Sequence, residues 1–453
     1  MATVPSLTQQ LALLLERPVT DDDRATAAVH VEDWTGAVAA AVATSEGAAI
    51  LAYTHSQQGT GATAVGAGDA SESGAAFHNA ALAIALELDS NDREARLHAG
   101  PVVIAAALAA AEATGAKGTA FLDAVVRGYD AAVRVGRSVG PLHYHYFHTT
   151  STCGGFGAAA AVASLLGLGP DTTAHALGLA GTTAGGFWQV RLEESTAKLV
   201  HTGRAAESGV SGARLAAAGL TAPPHLLEGE RGLYAATAPD STPGAVTAEA
   251  DGRWLIHDSS LKPWPCCRHA HPSIDAALEL YDQLNGEPVL SVDIDVYADA
   301  LSFCDRVHPA TTGQARFSLQ HAVSSALIDG QVSLSTFEKP ALSRPDVTRL
   351  RGDVHLRVDP RFEEAYPHSW GAAVTVRTPT RTLRVSRDEA KGDPLRPMTR
   401  EEVRAKTARL LEAASSDPSF PHAVFHSVAD LESEAPVTGL TTALRQVIAA
   451  PGG

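Results

Sequence analysis

Cysteine is scarce. Four thiols (Cys153, Cys266, Cys267 and Cys304) serve 453 residues, too few to staple a chain of this length, and the neighbours Cys266 and Cys267 would strain to bridge each other. A disulfide scaffold is excluded, and a reducing, cytoplasmic setting is expected. Positive charge is short too: 35 Lys and Arg against 51 Asp and Glu give a formal net charge of −16. Nonspecific nucleic-acid binding needs a basic surface and is therefore not expected, although a pocket can still be locally basic and take a small anion. Long apolar runs are missing. The most apolar stretch, Ala158–Leu168, is interrupted by Gly167 and is too short to span a bilayer. The N-terminus lacks the basic region and apolar core of a signal peptide. No membrane partner is expected. There is no GxGxxG between a strand and a helix, no P-loop and no GxSxG, so nucleotide-dependent and nucleophile-elbow chemistries fall away.

What the chain has is alanine and glycine, with aromatics at only 5%. Small side chains let helix axes approach closely, so tightly packed helices are expected. Ser6 and Gln9 form a capping-box pattern. Helices are predicted over Asp21–Val42, Ala75–Leu88, Pro101–Thr114, Thr119–Val139, Asp171–Ala184, Ala205–Ala218 and Pro272–Leu284, and Gly59–Ser73 reads as a loop. The character then changes. Val292, Ile294 and Val296 alternate with polar residues, as do Val354, Leu356 and Val358, while Val374, Val376, Leu383 and Val385 flank a turn at Thr378-Pro379-Thr380. Ser318–Asp329 reads as a helix ended by Gly330, and a second capping box at Thr399 and Glu402 opens a helical tail. The expected fold is mainly α: a large all-helical domain, residues 1–265 completed by 395–453, with a smaller α+β lid domain over 266–394.

Four stretches carry candidate chemistry. The first is His143-Tyr144-His145-Tyr146-Phe147-His148, ahead of a Gly/Ala tract rich enough in small residues to be a buried helix. Three imidazoles could coordinate zinc, but no cysteine pair or HExxH follows and no metal is expected. His143 and His145 read as surface or capping residues, and Tyr146 as a packed ring or an acid. His148 stands where a helix N-terminus would offer N–H donors to an anion. The second is Lys198, a solvated residue or one at the mouth of a pocket, where a lysine can serve as a base. The third is Lys262-Pro263-Trp264-Pro265-Cys266-Cys267-Arg268, followed by His271-Pro272. His271 there is a helix-capping residue or a catalytic one, and Arg268 a carboxylate clamp or a surface charge. The fourth runs from Glu87 through Asp89 and Asp92 to His98. A charged run of this kind reads as a solvated loop, with His98 at the head of an apolar helix.

Together these stretches resemble the MmgE/PrpD family. The resemblance rests on Phe77-His78-Asn79, His98 and Gly100, Gly128-Tyr129 to Arg134, Phe147-His148 with its Gly-Gly-Phe-Gly-Ala tract, and Lys198 with Gly203. It continues through Lys262 to Cys267 with His271-Pro272, Ala315 to Ser318, Asp329-Gly330 and Lys391 to Pro394, in that order along nearly the whole chain. It implies a homodimer with a site between the two domains, free of metal and cofactor, taking a small anionic di- or tricarboxylate and moving a proton next to a carboxylate. It also implies that His98, His148, Lys198, Lys262 and His271 are functional.

One departure weighs on the choice of reaction. Where the family's dehydratases and decarboxylases tend to carry an Asp-Asp-Thr-like cluster and a His-Pro, this chain has Asp89-Ser90-Asn91-Asp92 and His98-Ala99. A weakened leaving-group loop with its bases retained suits a cofactor-independent epimerase of an amino- or imino-dicarboxylate such as iminodisuccinate. Lys198 and His271 are the first proton-transfer pair, Tyr146 and His148 their substitutes or partners. Arg268, Arg191 and Lys262 are expected to bind carboxylate and stabilise the developing charge. The alternative is a dehydratase of a hydroxy-tricarboxylate such as 2-methylcitrate, with His98 protonating the leaving hydroxyl.

Overall fold

A computed structural model describes residues 4–193 and 195–447. The chain forms two compact units: one takes the chain up to Ser259 and again from Thr399, the other is Ser260–Met398. The expected lid, 266–394, lies inside the second unit, whose seams fall a few residues further out on each side.

The first unit is helical apart from one ribbon. Its first helix, Leu7–Leu14, starts at the Ser6–Gln9 capping box, and Asp21–Ala41 starts at another formed by Thr20 and Asp23. The stretch expected to be loop holds a short antiparallel pair, Ala62–Ala64 with Gly68–Ala70. At the centre lies Thr149–Leu165, buried almost all round from Thr149 to Ala163. Glycines set how closely its neighbours approach. A Cβ on Gly157 would stand 2.5 Å from the Gly128 carbonyl oxygen of helix Gly118–Ser138, and a Cβ on Gly209 of helix Ala197–Ala217 would stand 2.2 Å from the Ala158 Cβ. The small residues therefore act through contact between backbones, which larger side chains would prevent.

Several boundaries differ from expectation. Helix Ala197–Ala217 starts well before Ala205, because Lys198, His201 and Arg204 interrupt the apolar period in its first two turns. Helix Glu72–Ile84 ends before Leu88, which frees the acidic residues that follow. Ser45–Ser56, Gly140–Tyr146, Phe420–Asp430 and Thr438–Leu444 are further helices, not among those expected. No single described helix is long and apolar enough to cross a membrane.

The second unit is α+β. Four strands lie in the order Val354–Val358, Ser291–Val296, Ala372–Arg377, Thr382–Arg387. The first pair is parallel, which requires a long crossover, and helices fill it; the other pairs are antiparallel. The hairpin register sets Val376 opposite Leu383 and Val374 opposite Val385. Helices His271–Leu284 and Leu319–Asp329 contribute Ile274, Leu280, Leu319 and Val323 to a core shared with Val292, Ile294 and Val374.

Candidate active site

The polar residues singled out in the sequence fall into two groups, one in each unit. In the first unit the group is built on a loop between two buried helices. After Ile84 the chain passes through Glu87 and Arg96, both in the left-handed region (φ +54° and +49°), before His98 caps helix Ala99–Thr114. Such a conformation costs a non-glycine residue on the order of 1–3 kcal/mol and persists where surroundings enforce it. Several contacts do so here. Asp92 and Leu97 bridge the loop, the Ala95 N–H donates to the Asp92 carboxylate at 2.7 Å, and Arg137 pairs with Asp92 at 2.7 Å. The Thr149 hydroxyl donates to the Arg96 carbonyl at 2.6 Å, and the His98 N–H donates to the Thr150 hydroxyl at 3.0 Å. The loop is thereby fastened to the first turn of helix Thr149–Leu165, next to His148.

Glu87, Asp89 and Asp92 are buried, which corrects the reading of this run as solvated. The Asp89 carboxylate pairs with His98 Nδ1, and the Glu87 carboxylate pairs with the Lys198 ammonium. An ionised carboxylate only accepts, so His98 Nδ1 carries the proton of this bond. Lys198 stands in the first turn of helix Ala197–Ala217 with its side chain 14% exposed, at the edge of solvent.

His148 lies near both pairs. It is fully buried, and neither ring nitrogen has a hydrogen-bond partner among the described residues. Its ring lies 4.4 Å from Trp188, 5.5 Å from His201 and 6.2 Å from His98, centroid to centroid. Burial, then the charges of Lys198, His98 and His201, push the His148 imidazole well below its ordinary range, so it is neutral at pH 7. Burial and Lys198 also lower His201. A buried neutral imidazole with both nitrogens unsatisfied carries a desolvation cost that a polar ligand can relieve.

The remaining expected residues of this unit separate. Tyr146 is 61% exposed, with its ring edge-on to His145 at 4.6 Å. Arg191 stacks over Trp188 at 5.6 Å and so adjoins the ring that covers His148. His143, read as a surface or capping residue, is instead fully buried and hydrogen-bonded to Thr152 (2.8 Å) and Thr237 (3.1 Å), with burial lowering its pKa to about 4. Among the described residues no three His, Cys, Asp or Glu side chains are grouped to hold a metal.

Sequence reasoning missed Glu87 and Asp89 as partners, and His201 and Trp188 altogether. For His201 a signal was present, since its three-residue spacing from Lys198 puts both on one face of a helix. Trp188 carried none.

In the second unit His271 opens helix His271–Leu284, with Pro272 in its first turn as expected. The imidazole is fully buried. The Cys266 carbonyl lies 3.2 Å from Nε2 and can only accept, so Nε2 donates and Nδ1 accepts from Arg268 at 2.9 Å. Arg268, expected to clamp a substrate carboxylate or to be a surface charge, is buried and bonded to the Asp393 carboxylate and, at 3.0 Å, to the Lys391 carbonyl. Asp393 is held in turn by the Ser260 hydroxyl at 2.6 Å and the Ala390 N–H at 3.0 Å. Lys262 is fully buried. Of the pair first expected to transfer the proton, Lys198 belongs to the first unit and His271 to the second. His271 can act as a base only by releasing Arg268 from Nδ1.

Two family models cover most of the chain, the second running past the Met398 end of the second unit. A model of the MmgE/PrpD N-terminal domain matches residues 12–245, and one of the MmgE/PrpD C-terminal domain matches residues 264–419. The chain is 29% identical over 396 residues to the cis-aconitate decarboxylase-like protein oryM of Aspergillus oryzae, covering 81% of each. It is 26% identical over 316 residues to the cis-aconitate decarboxylase of Aspergillus terreus, covering 64% of each. It is 29% identical over 221 residues to the cis-aconitate decarboxylase of Homo sapiens, covering 47% of this chain and 45% of that one. The alignment therefore spans less than two thirds of the latter two relatives.

Proposed function

The chain belongs to the MmgE/PrpD family, and from that premise we propose that it is a cofactor-independent enzyme that moves a proton at the carbon next to a carboxylate of a small di- or tricarboxylate. The observation that carries this reading is His148, buried without a hydrogen-bond partner beside a lysine and a second histidine. Lys198 and Arg191 supply positive charge for a substrate carboxylate. His98, its Nδ1 proton held by Asp89, presents Nε2 as acid or base. His148 gives one N–H and one lone pair to the reacting region without adding a charge. Each positioned acid or base contributes on the order of 10²–10⁴-fold, so the electrostatic contribution of Lys198 to the developing negative charge is needed as well.

Two reactions fit these parts. In epimerisation of an amino- or imino-dicarboxylate such as iminodisuccinate, one group removes the α-proton and another returns a proton to the opposite face. The sequence argument for this outcome, an altered leaving-group loop, is reduced by the buried pairing of Asp89 with His98. The second reading is lyase chemistry on a tricarboxylate: loss of water from a hydroxy-acid, or of CO₂ from an unsaturated one with a proton delivered to the vacated carbon. The names of the curated relatives favour it. Proton NMR in heavy water, with ultraviolet absorbance followed in parallel, separates them. Epimerisation washes deuterium into the substrate pool with no change in absorbance. Dehydration of a citrate-like acid raises absorbance, and decarboxylation releases CO₂. No change with any di- or tricarboxylate of either class would remove both.

A further inference from the structure

The loop that carries Glu87 and Asp89 is held by a residue that arrives from the far end of the chain. Helix Arg400–Ala414 packs on helix Asp21–Ala41 at a glycine: a Cβ on Gly36 would stand 3.1 Å from Thr407 Cγ2 and 3.2 Å from Leu410 Cδ1. That approach fixes the register of the helix and places Lys406, 4% exposed, against the loop. The Lys406 ammonium donates to the Leu88 carbonyl at 3.0 Å and pairs with Asp33 at 2.7 Å. Leu88 is the residue between Glu87, which holds Lys198, and Asp89, which holds His98. On its other side Ser90 is hydrogen-bonded to the Tyr129 hydroxyl at 3.0 Å, itself 3.4 Å from His30 Nδ1.

We propose that Lys406 is a positioning residue for the site: by gripping the Leu88 carbonyl it sets the peptide from which the Glu87 and Asp89 carboxylates project, and so fixes Lys198 and His98. Glu87 sits in a left-handed conformation that a free loop would leave, so contacts from outside the loop keep it there, and the Lys406 grip next to it is one of them. An ammonium suits the task because a charged donor makes the stronger bond to a carbonyl, and Asp33 balances its charge. This goes beyond the proposed function and rests on it only for the effect on turnover.

The test is the imidazole N–H region of the proton NMR spectrum. His98 Nδ1–H, bonded to Asp89, gives a downfield signal identified by its loss in Asp89→Asn. In Lys406→Met, and in Asp33→Asn/Lys406→Met, which leaves no unpaired buried charge, this signal moves upfield or is lost. Lys406→Arg, which keeps a charged donor, restores it at least in part. With a turned-over carboxylate, kcat falls by about 10–100-fold, the scale on which groups that orient a functional ligand act, and KM changes less. A folded double variant whose His98 signal is unmoved overturns the proposal, and so does failure of that variant to fold, since Lys406 would then serve packing alone. If the signal responds as stated but the wild type turns over no carboxylate, the positioning role stands and the functional reading falls.

Discussion

Lys198 and Glu87 form a nearly buried ion pair, and His148 a buried imidazole with no partner. The two therefore respond differently to substitution. Lys198→Met leaves the Glu87 carboxylate without its cation, a change that costs about 3–5 kcal/mol when a pair is fully buried and less here, where the lysine reaches solvent. It also removes the charge expected to stabilise the reacting state. Turnover should fall by about 10²–10⁴-fold, and the denaturant midpoint should fall with it. Glu87→Gln/Lys198→Met should recover the midpoint without recovering turnover. His148→Phe should show the reverse pattern at once. No hydrogen bond to a described residue is lost and the desolvation cost of the imidazole is relieved, so the midpoint should hold or rise while turnover is abolished. Denaturant titration alongside an activity assay checks all three variants. A His148→Phe protein with lowered stability and full activity would make His148 an ordinary core residue.

At the level of helices and strands, the glycine contacts make the sharpest prediction. Gly157→Ala sets a Cβ against a backbone carbonyl at 2.5 Å, where no side-chain rotation gives relief. Helix Gly118–Ser138 must move away, at about 1–3 kcal/mol, read as a lower denaturant midpoint. An unchanged midpoint would mean that these helices have slack. The sequence showed that such helices pack closely, that a strand-rich segment interrupts them, and where capping boxes start Leu7–Leu14 and Arg400–Ala414. It did not show where helix Ala197–Ala217 begins, because its first turns carry the site's polar residues and so lack an apolar period. Nor did it show that the run from Glu87 to Asp92 is buried. Local composition reads charge as solvated, and only tertiary partners, Lys198, His98 and Arg137, reverse that. His98, His148 and Lys198 were legible as candidates, but not the pairing that links each to its neighbour.

For the whole molecule, five of the buried histidines make stability sensitive to acid. Burial lowers His30 to about 3 and His78, His143 and His321 to about 4, and His148 well below its ordinary value. Each is neutral when folded but takes up a proton near pH 6.5 when unfolded. The unfolded state therefore binds more protons, and stability is lost as pH falls from about 6.5 toward the folded values, by about 2 kcal/mol per histidine at pH 5. Calorimetry at pH 7 and pH 5 should show a clear drop in Tm; an unchanged or higher Tm at pH 5 would mean that these rings titrate in the folded protein. The central claim concerns chemistry, and its most direct test is deuterium at carbon. Metal-free wild-type protein, incubated in heavy water with di- and tricarboxylates, should place deuterium on the carbon next to a carboxylate of substrate or product, and Lys198→Met and His148→Phe should not. Deuterium incorporation that persists undiminished in both variants, or its absence from every acid with the wild type, would contradict the account.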